Sequence, residues 1–257
     1  MKNIPLLLLT FIVINVYGQG QEKENKDIVF NRIQIGVNFS PDLNYRTLKN
    51  NDGSTNSDQV IKLRNENETV KPGYTVGLNF IYNFNKNIGI ETGIQYSNKG
   101  YQRKLQDFIY GDFIDPKYGF IGSSNPPENM PIQLTTIFNY YYIDIPLKIN
   151  FIFGMRKIRI ITSVGITANL FVKETYTSIF YYDDATTTRK TYNLSYYDYN
   201  SLNISPLISL GIDYKINKSM NLRLEPTFRY GILKIIDHPV TAYLWNTGLN
   251  ISYYVGF

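Results

Sequence analysis

The sequence predicts an all-β fold: eight antiparallel strands closed into a transmembrane β-barrel, with long extracellular loops at one end and short periplasmic turns at the other. Three observations carry this reading. Along most of the chain, alternate residues divide into an apolar set and a polar set, the period of a strand with two different faces. Long polar connections alternate with tight turns built from Asn, Lys, Ser and Gly. Glycines fall on the polar parity of the strands, which belongs on the crowded concave side of a narrow barrel. The apolar set then covers the convex side, a surface suited to lipid and not to water.

The chain begins with a segment that reads as a secretory signal peptide, residues 1–18. Lys2 supplies a positive start, and Ile4 to Val16 form an apolar run shorter than the about 20 residues that a spanning helix needs. Val16-Tyr17-Gly18 ends in a small residue, so cleavage falls after 18 or after 20. Residues 19–30 are a polar, flexible lead-in, and residues 31–257 form the barrel domain.

The strands follow in order. The first covers 31–40, with Ile33, Ile35, Val37 and Phe39 on one face. A polar loop is expected over 41–72. The second strand, 73–84, carries Tyr74, Val76, Leu78, Phe80, Tyr82 and Phe84 outward, and the turn Asn85-Lys86-Asn87 leads to the third, 88–99. A second long loop, rich in proline, occupies 100–137. The fourth and fifth strands, 140–153 and 157–172, form a hairpin around Gly154-Met155-Arg156. In the fourth, Tyr141, Ile143, Ile145, Leu147, Ile149, Phe151 and Phe153 face out, while Tyr140, Tyr142, Asp144, Pro146, Lys148 and Asn150 face in. A third long loop covers 173–202. The sixth and seventh strands, 203–216 and 220–232, flank Asn217-Lys218-Ser219. A shorter loop holds His238-Pro239, and the eighth strand, 242–257, ends the chain. Pro146, Pro206 and Pro226 lie inside strands, and each removes one ladder donor, so unpaired positions or bulges are expected there.

Outward aromatics sort into two belts. Tyr74, Tyr96, Tyr141, Tyr230, Tyr243 and Trp245 lie near the long loops, and Phe84, Phe153, Tyr214, Tyr253 and Phe257 near the turns and terminus. From Tyr74 to Phe84, at about 3.3 Å per residue and about 40° of tilt, the strand spans roughly 25 Å along the normal, the height of an outer-membrane apolar band.

Tyr141-Tyr142-Ile143-Asp144-Ile145-Pro146-Leu147-Lys148 resembles the fourth-strand signature of the PorT-like outer-membrane β-barrel family of Bacteroidetes-type bacteria. The final Ile251-Ser252-Tyr253-Tyr254-Val255-Gly256-Phe257 is similar to the terminal signal of such barrels. The resemblance implies residence in the cell outer membrane and contact with its lipid. It also implies recognition of the last strand by the barrel-assembly machinery, and in some members an accessory part in type IX protein secretion.

The remaining expectations concern sites. Glu91, Asp144, Lys148, Asp213, Lys215, Arg223, Glu225 and Arg229 share the inner parity and are expected to pair across the lumen as a polar plug. With the lumen filled, the role falls to structure or interaction through the long loops, with an extracellular or secretion-system protein as partner. A narrow channel for ions or small solutes is the alternative, and a lipid-modifying enzyme a weaker one. His238, the single histidine, adjoins Asp237 without a nucleophile motif, so no catalytic residue is assigned. Asp183-Asp184 and the acidic residues of the second loop could hold a calcium ion, but two neighbouring carboxylates are a weak signal, and no metal or cofactor is assigned. The chain has no cysteine, which excludes disulfides and thiol chemistry, and its net charge of +5 comes without a basic block, which argues against nucleic acid.

Overall fold

The computed structural model describes residues 30–106, 113–115, 119–121, 131–154, 157–182, 184–193 and 199–257. The expected signal peptide, the lead-in up to residue 29, Met155 and Arg156 of the hairpin turn, Asp183 and much of the second long loop lie outside the described residues. The elements are β1 (Ile33–Asn50), α1 (Thr55–Asn67), β2 (Glu68–Thr69), β3 (Lys71–Asn83), β4 (Ile88–Gln106), β5 (Phe113–Asp115) and β6 (Gly119–Ile121). There follow β7 (Pro131–Phe153), β8 (Ile158–Tyr182), β9 (Thr187–Tyr192), β10 (Leu202–Lys215), β11 (Met220–Tyr230) and β12 (Val240–Gly256).

Hydrogen bonding runs β10-β11-β12-β1-β3-β4-β7-β8, and β8 pairs back to β10, so eight antiparallel strands close a ring. The seam joins the first and last strands: Val37 sits opposite Tyr253 of β12 on one side and Leu78 of β3 on the other. The Phe257 amide donates to the Ile33 carbonyl at 2.9 Å, which brings the C-terminus to the same end as the start of β1. No helix among the described residues is long and apolar enough to cross a membrane, a statement that does not bear on strands.

The ladders break where proline removes a donor. At Pro146, β4 and β7 pair through Thr92–Leu147 and resume only at Gln95–Asp144. At Pro226, β10 and β11 pair through Ser209–Thr227 and resume at Ile212–Leu224. Pro206 pairs with Ile166 on β8, while the β10–β11 ladder starts one residue later, at Leu207.

The three connections expected as loops contain ordered structure, and this corrects the sequence reading. The strand expected to end at residue 40 continues to Asn50. Pro41 costs pairing with β12, but the register on either side is unchanged, from Phe39–Ile251 to Asp42–Gly248. Next comes α1, capped by Ser54, whose hydroxyl accepts from the Ser57 amide at 3.2 Å. β4 runs to Gln106 and β7 starts at Pro131, inside the expected second loop. β8 continues to Tyr182 and is joined by β9 inside the expected third loop. A transmembrane strand needs about 9–11 residues. At 23 and 25 residues, β7 and β8 therefore carry the sheet well beyond the bilayer as an outer platform.

The two faces are inverted relative to a water-soluble protein. Leu78 is 61% exposed, and Ile35, Val37, Ile94, Ile149, Ile208 and Leu224 are exposed with it. Ser40, Asn44, Asn79, Ser97, Asn150, Ser163, Arg223, Glu225 and Ser252 are buried. Tyr74, Tyr96, Tyr141, Tyr230, Tyr243 and Trp245 follow the outward parity toward the platform end, where Tyr96 stacks on Tyr141 at 5.8 Å. Phe84, Phe153, Tyr214, Tyr253 and Phe257 do so toward the turn end. Glycine makes the interior possible: a Cβ on Gly36 would lie 2.5 Å from the Tyr254 ring, and one on Gly211 would strike the Leu224 carbonyl.

Candidate functional site

Among the described residues ionisable side chains converge in the interior, which has two storeys. The lower lies between the aromatic belts. Its centre is Glu91, on β4. One carboxylate oxygen accepts from Lys148 Nζ at 2.8 Å and from Tyr254 Oη at 3.1 Å, and the other accepts from Asn150 at 2.9 Å and from Arg223 Nη1 at 3.4 Å. Arg223 stacks over Tyr254 at 4.6 Å and donates through Nε to Asp213 at 2.8 Å. Asp213 also accepts from Arg159 Nε at 2.9 Å. Glu225 accepts from Ser163 and Ser209 at 3.1 and 2.9 Å, with Lys148 Nζ at 3.9 Å. Toward the platform, Lys99 reaches Asp144 at 3.0 Å, and Arg229 approaches Asp42 at 3.8 Å.

Among the described residues the ion pairs of this storey join five cations (Lys99, Lys148, Arg159, Arg223, Arg229) to five carboxylates (Asp42, Glu91, Asp144, Asp213, Glu225). Buried charges are tolerable only when each finds a partner and its remaining hydrogen bonds. At the turn end the residual cavity holds about 20 Å³, room for one water.

The residues expected in this network stand as follows. Glu91, Asp144, Lys148, Asp213, Arg223, Glu225 and Arg229 are all buried. Lys215 is half-buried at the turn end, within electrostatic reach of Arg159 and Asp213. Asp42, Lys99 and Arg159 were not picked out from the sequence. Strict extension of the inner parity finds Lys99 and Arg159, and continuing β1 through Pro41 finds Asp42 and Arg46.

The upper storey is aromatic, and its charges do not balance. Tyr101, Phe138, Tyr140, Tyr142, Ile235, Ala242 and Leu244 pack together, with Phe171, Tyr176 and Tyr199 against them. At one side Glu68 accepts from three arginines: Arg46 at 2.7 Å, Arg64 at 2.8 Å and Arg103 at 2.7 Å. Burial alone would raise the Glu68 carboxyl, but Arg64, Arg103 and Arg46 together hold it below the usual carboxylate range. The arginines lie against aromatic faces, Arg46 over Tyr45 at 4.9 Å, Arg64 over Tyr101 at 5.7 Å and Arg103 over Phe138 at 5.6 Å, which absorbs part of the surplus charge.

At the other side stands Glu174, on β8. Between Tyr141–Lys173 and Tyr142–Phe171 the β7–β8 register shifts by one, leaving Val172 as a bulge. A one-residue bulge exchanges the faces of everything beyond it. Glu174 and Tyr176 therefore turn inward, on the opposite parity from Asn169 and Phe171. Glu174 is buried, and neither carboxylate oxygen has a hydrogen-bond partner. Burial pushes its carboxyl up to about 7, and the Tyr176 and Tyr199 hydroxyls, near enough to lower it in part, miss hydrogen-bond geometry.

His238 is exposed in the loop before β12, its carbonyl accepting from Asn51 at 3.3 Å, while Asp237 pairs with Lys234 at 2.6 Å. Asp184 caps a turn, accepting from the Thr186 amide at 3.0 Å and the Thr186 hydroxyl at 2.6 Å. Among the described residues no three metal-ligating side chains gather.

Comparison with known proteins gives one family: the model of the outer membrane protein beta-barrel domain matches residues 18–237. No curated protein matches the chain. Matches among solved structures include Neisserial surface protein A, at 10% identity and a TM-score of 0.44 over 88% of this chain and 97% of that one. The outer membrane protease OmpT from Escherichia coli matches at 10% identity and 0.38, over 91% and 99%. The attachment invasion locus protein Ail of Yersinia pestis matches at 10% and 0.34, over 86% and 98%.

Proposed function

We propose, because this chain belongs to the outer membrane protein beta-barrel domain family, that its barrel is a closed mount for an outer interaction platform and not a conduit. The protein resides in the outer membrane, with its apolar face against lipid. The observation that carries the proposal is the ladder of ion pairs across the bore. Arg223, fully buried, bridges Asp213 on the neighbouring strand and Glu91 across the bore. Side chains locked in this way fill an eight-stranded interior and fix strand register. Function then falls to what stands above the bilayer: the ends of β7 and β8, β9 and α1. Rigid strands make a better-defined binding surface than free loops do.

Two narrower readings belong to the same proposal. The Tyr141–Lys148 segment supports kinship with the PorT-like barrels of Bacteroidetes-type bacteria, and through it a secretion-system partner for the platform. The aromatic end of β12 supports recognition by the barrel-assembly machinery. We assign no catalysis, and His238→Ala is expected to leave lipid A profiles unchanged.

Planar-bilayer recording tests the proposal. Purified protein is expected to show no unitary conductance, and Arg223→Ala with Glu91→Ala, which empties the centre of the ladder, is expected to produce it. Steady unitary currents from the unaltered protein would establish the channel reading instead.

A further inference from the structure

We propose that the aromatic mouth of the barrel is a binding site for a compact organic ammonium ion, held by Glu174 against the rings of Tyr140, Tyr176 and Tyr199. The first support is an imbalance. Glu174 is 8% exposed, and both of its oxygens lack a hydrogen-bond partner among surrounding groups. A buried carboxylate left in this state is costly unless a cation or a proton joins it. The neighbouring cations are committed elsewhere: Arg46, Arg64 and Arg103 to Glu68, Lys99 to Asp144, and Lys71 to the Asn98 side chain and the Lys99 carbonyl.

The second support is the wall. Tyr140, Tyr142, Tyr176 and Tyr199 all lie within electrostatic reach of the carboxylate. Tyr140 meets Tyr199 edge-on at 5.6 Å, Phe171 lies 5.0 Å from Tyr199, and the Tyr176 and Tyr199 hydroxyls meet at 3.1 Å. Ring faces around a carboxylate are the chemistry that recognises alkylammonium ions. Tyr176, Tyr199 and Phe171 are only half-buried, so this wall is the one open to the outside. The third support is the Val172 bulge, which breaks the β7–β8 register and aims Glu174 inward. A structural carboxylate would not need it, since Asn169 and Phe171 already follow the inner parity below. The site is independent of whichever partner the platform takes.

The charge of the site sets the test. With a carboxyl near 7, the ionised fraction is about one-tenth at pH 6 and nine-tenths at pH 8, so affinity for a cation is expected to rise about tenfold between them. The protein would be purified in a non-ionic glucoside detergent, because ammonium-bearing detergents would compete. Tetramethylammonium chloride and ethanolamine hydrochloride would be titrated calorimetrically at both pH values, with sodium chloride as the control. The expected result is saturable binding at pH 8, about tenfold weaker at pH 6, lost in Glu174→Gln and weakened in Tyr199→Leu. Heat-modifiable gel migration should be retained in both variants, which separates loss of binding from loss of folding. Absence of binding at pH 8, equal binding at the two pH values, undiminished binding by folded Glu174→Gln, or equal binding of sodium would each overturn the proposal. A second arm in lipid discs of phosphatidylethanolamine against phosphatidylglycerol distinguishes a lipid headgroup from a free amine. Protection of Glu174 against carbodiimide labelling only in the former would assign the headgroup, and protection only by the soluble amine would assign the free ligand.

Discussion

The lower and upper storeys of the interior are lined by the same eight strands, yet they handle charge differently. Below, five carboxylates each pair with a cation, and serine and asparagine side chains add hydrogen bonds to Glu91 and Glu225. Above, three arginines share one carboxylate, and Glu174 has no partner at either oxygen. A narrow bore crossed by ion pairs is a fastening. A mouth with unbalanced charge and half-buried rings is equipped to meet something from outside. The two storeys should therefore respond differently to substitution.

The largest effect is expected in the ladder. Arg223→Met removes the buried cation that bridges Glu91 and Asp213, leaving them only Lys148 and Arg159, and should destabilise the barrel by about 3 kcal/mol, read from urea unfolding in micelles. If it costs no more than a surface change, the lower storey is not the fastening described. Next comes the lipid face, which brackets that storey. Leu78→Arg, at an exposed position between the aromatic belts, should cost about 2–4 kcal/mol, whereas an arginine at Thr188 on β9 should cost close to nothing.

The comparison sharpens at Glu174. Its folded-state carboxyl is raised to about 7 from an ordinary 4.5, so the folded state holds its proton longer than the unfolded chain does. That contribution to stability is present below about 4.5 and is lost as pH rises through 7. Glu174→Gln should therefore stabilise the protein at pH 8 by about 1–3 kcal/mol and leave it unchanged at pH 4, the reverse of Arg223→Met. A loss of stability at pH 8 would mean that Glu174 has a cationic partner after all. The smallest effect lies outside the bilayer. Ser54→Ala removes the cap of α1 and should cost about 1 kcal/mol locally, seen as faster amide exchange in α1 with the global midpoint unmoved.

Much of this was legible in the sequence, for a physical reason. Period two survives wherever one face meets lipid, because every outward position must be apolar, as Ile143, Ile145, Leu147 and Ile149 are. Above the bilayer the outer face meets water instead of lipid, the demand for apolar residues on it disappears, and β1 beyond Pro41 or β8 beyond Lys173 reads as polar loop although the ladder continues. The helix α1 is polar nearly all round, with only Val60, Ile61 and Leu63 to mark it, so periodicity could not find it. In the ladder, Asp144 and Lys148 were visible from parity alone, but their partners were not: Asp144 takes Lys99 and Lys148 takes Glu91, across strands. Glu174 could not be placed, because the bulge at Val172 reverses the parity from which its direction would have been read.

The account depends on which face meets lipid, and the absence of native cysteine makes this directly measurable. Nitroxide labels on Leu78→Cys, Ile149→Cys and Leu224→Cys in lipid vesicles should show high accessibility to oxygen and low accessibility to a water-soluble nickel complex. Labels on Ser209→Cys and Thr227→Cys should be poorly accessible to both. High nickel accessibility at Leu78, Ile149 and Leu224, with oxygen reaching Ser209 and Thr227 instead, would contradict it.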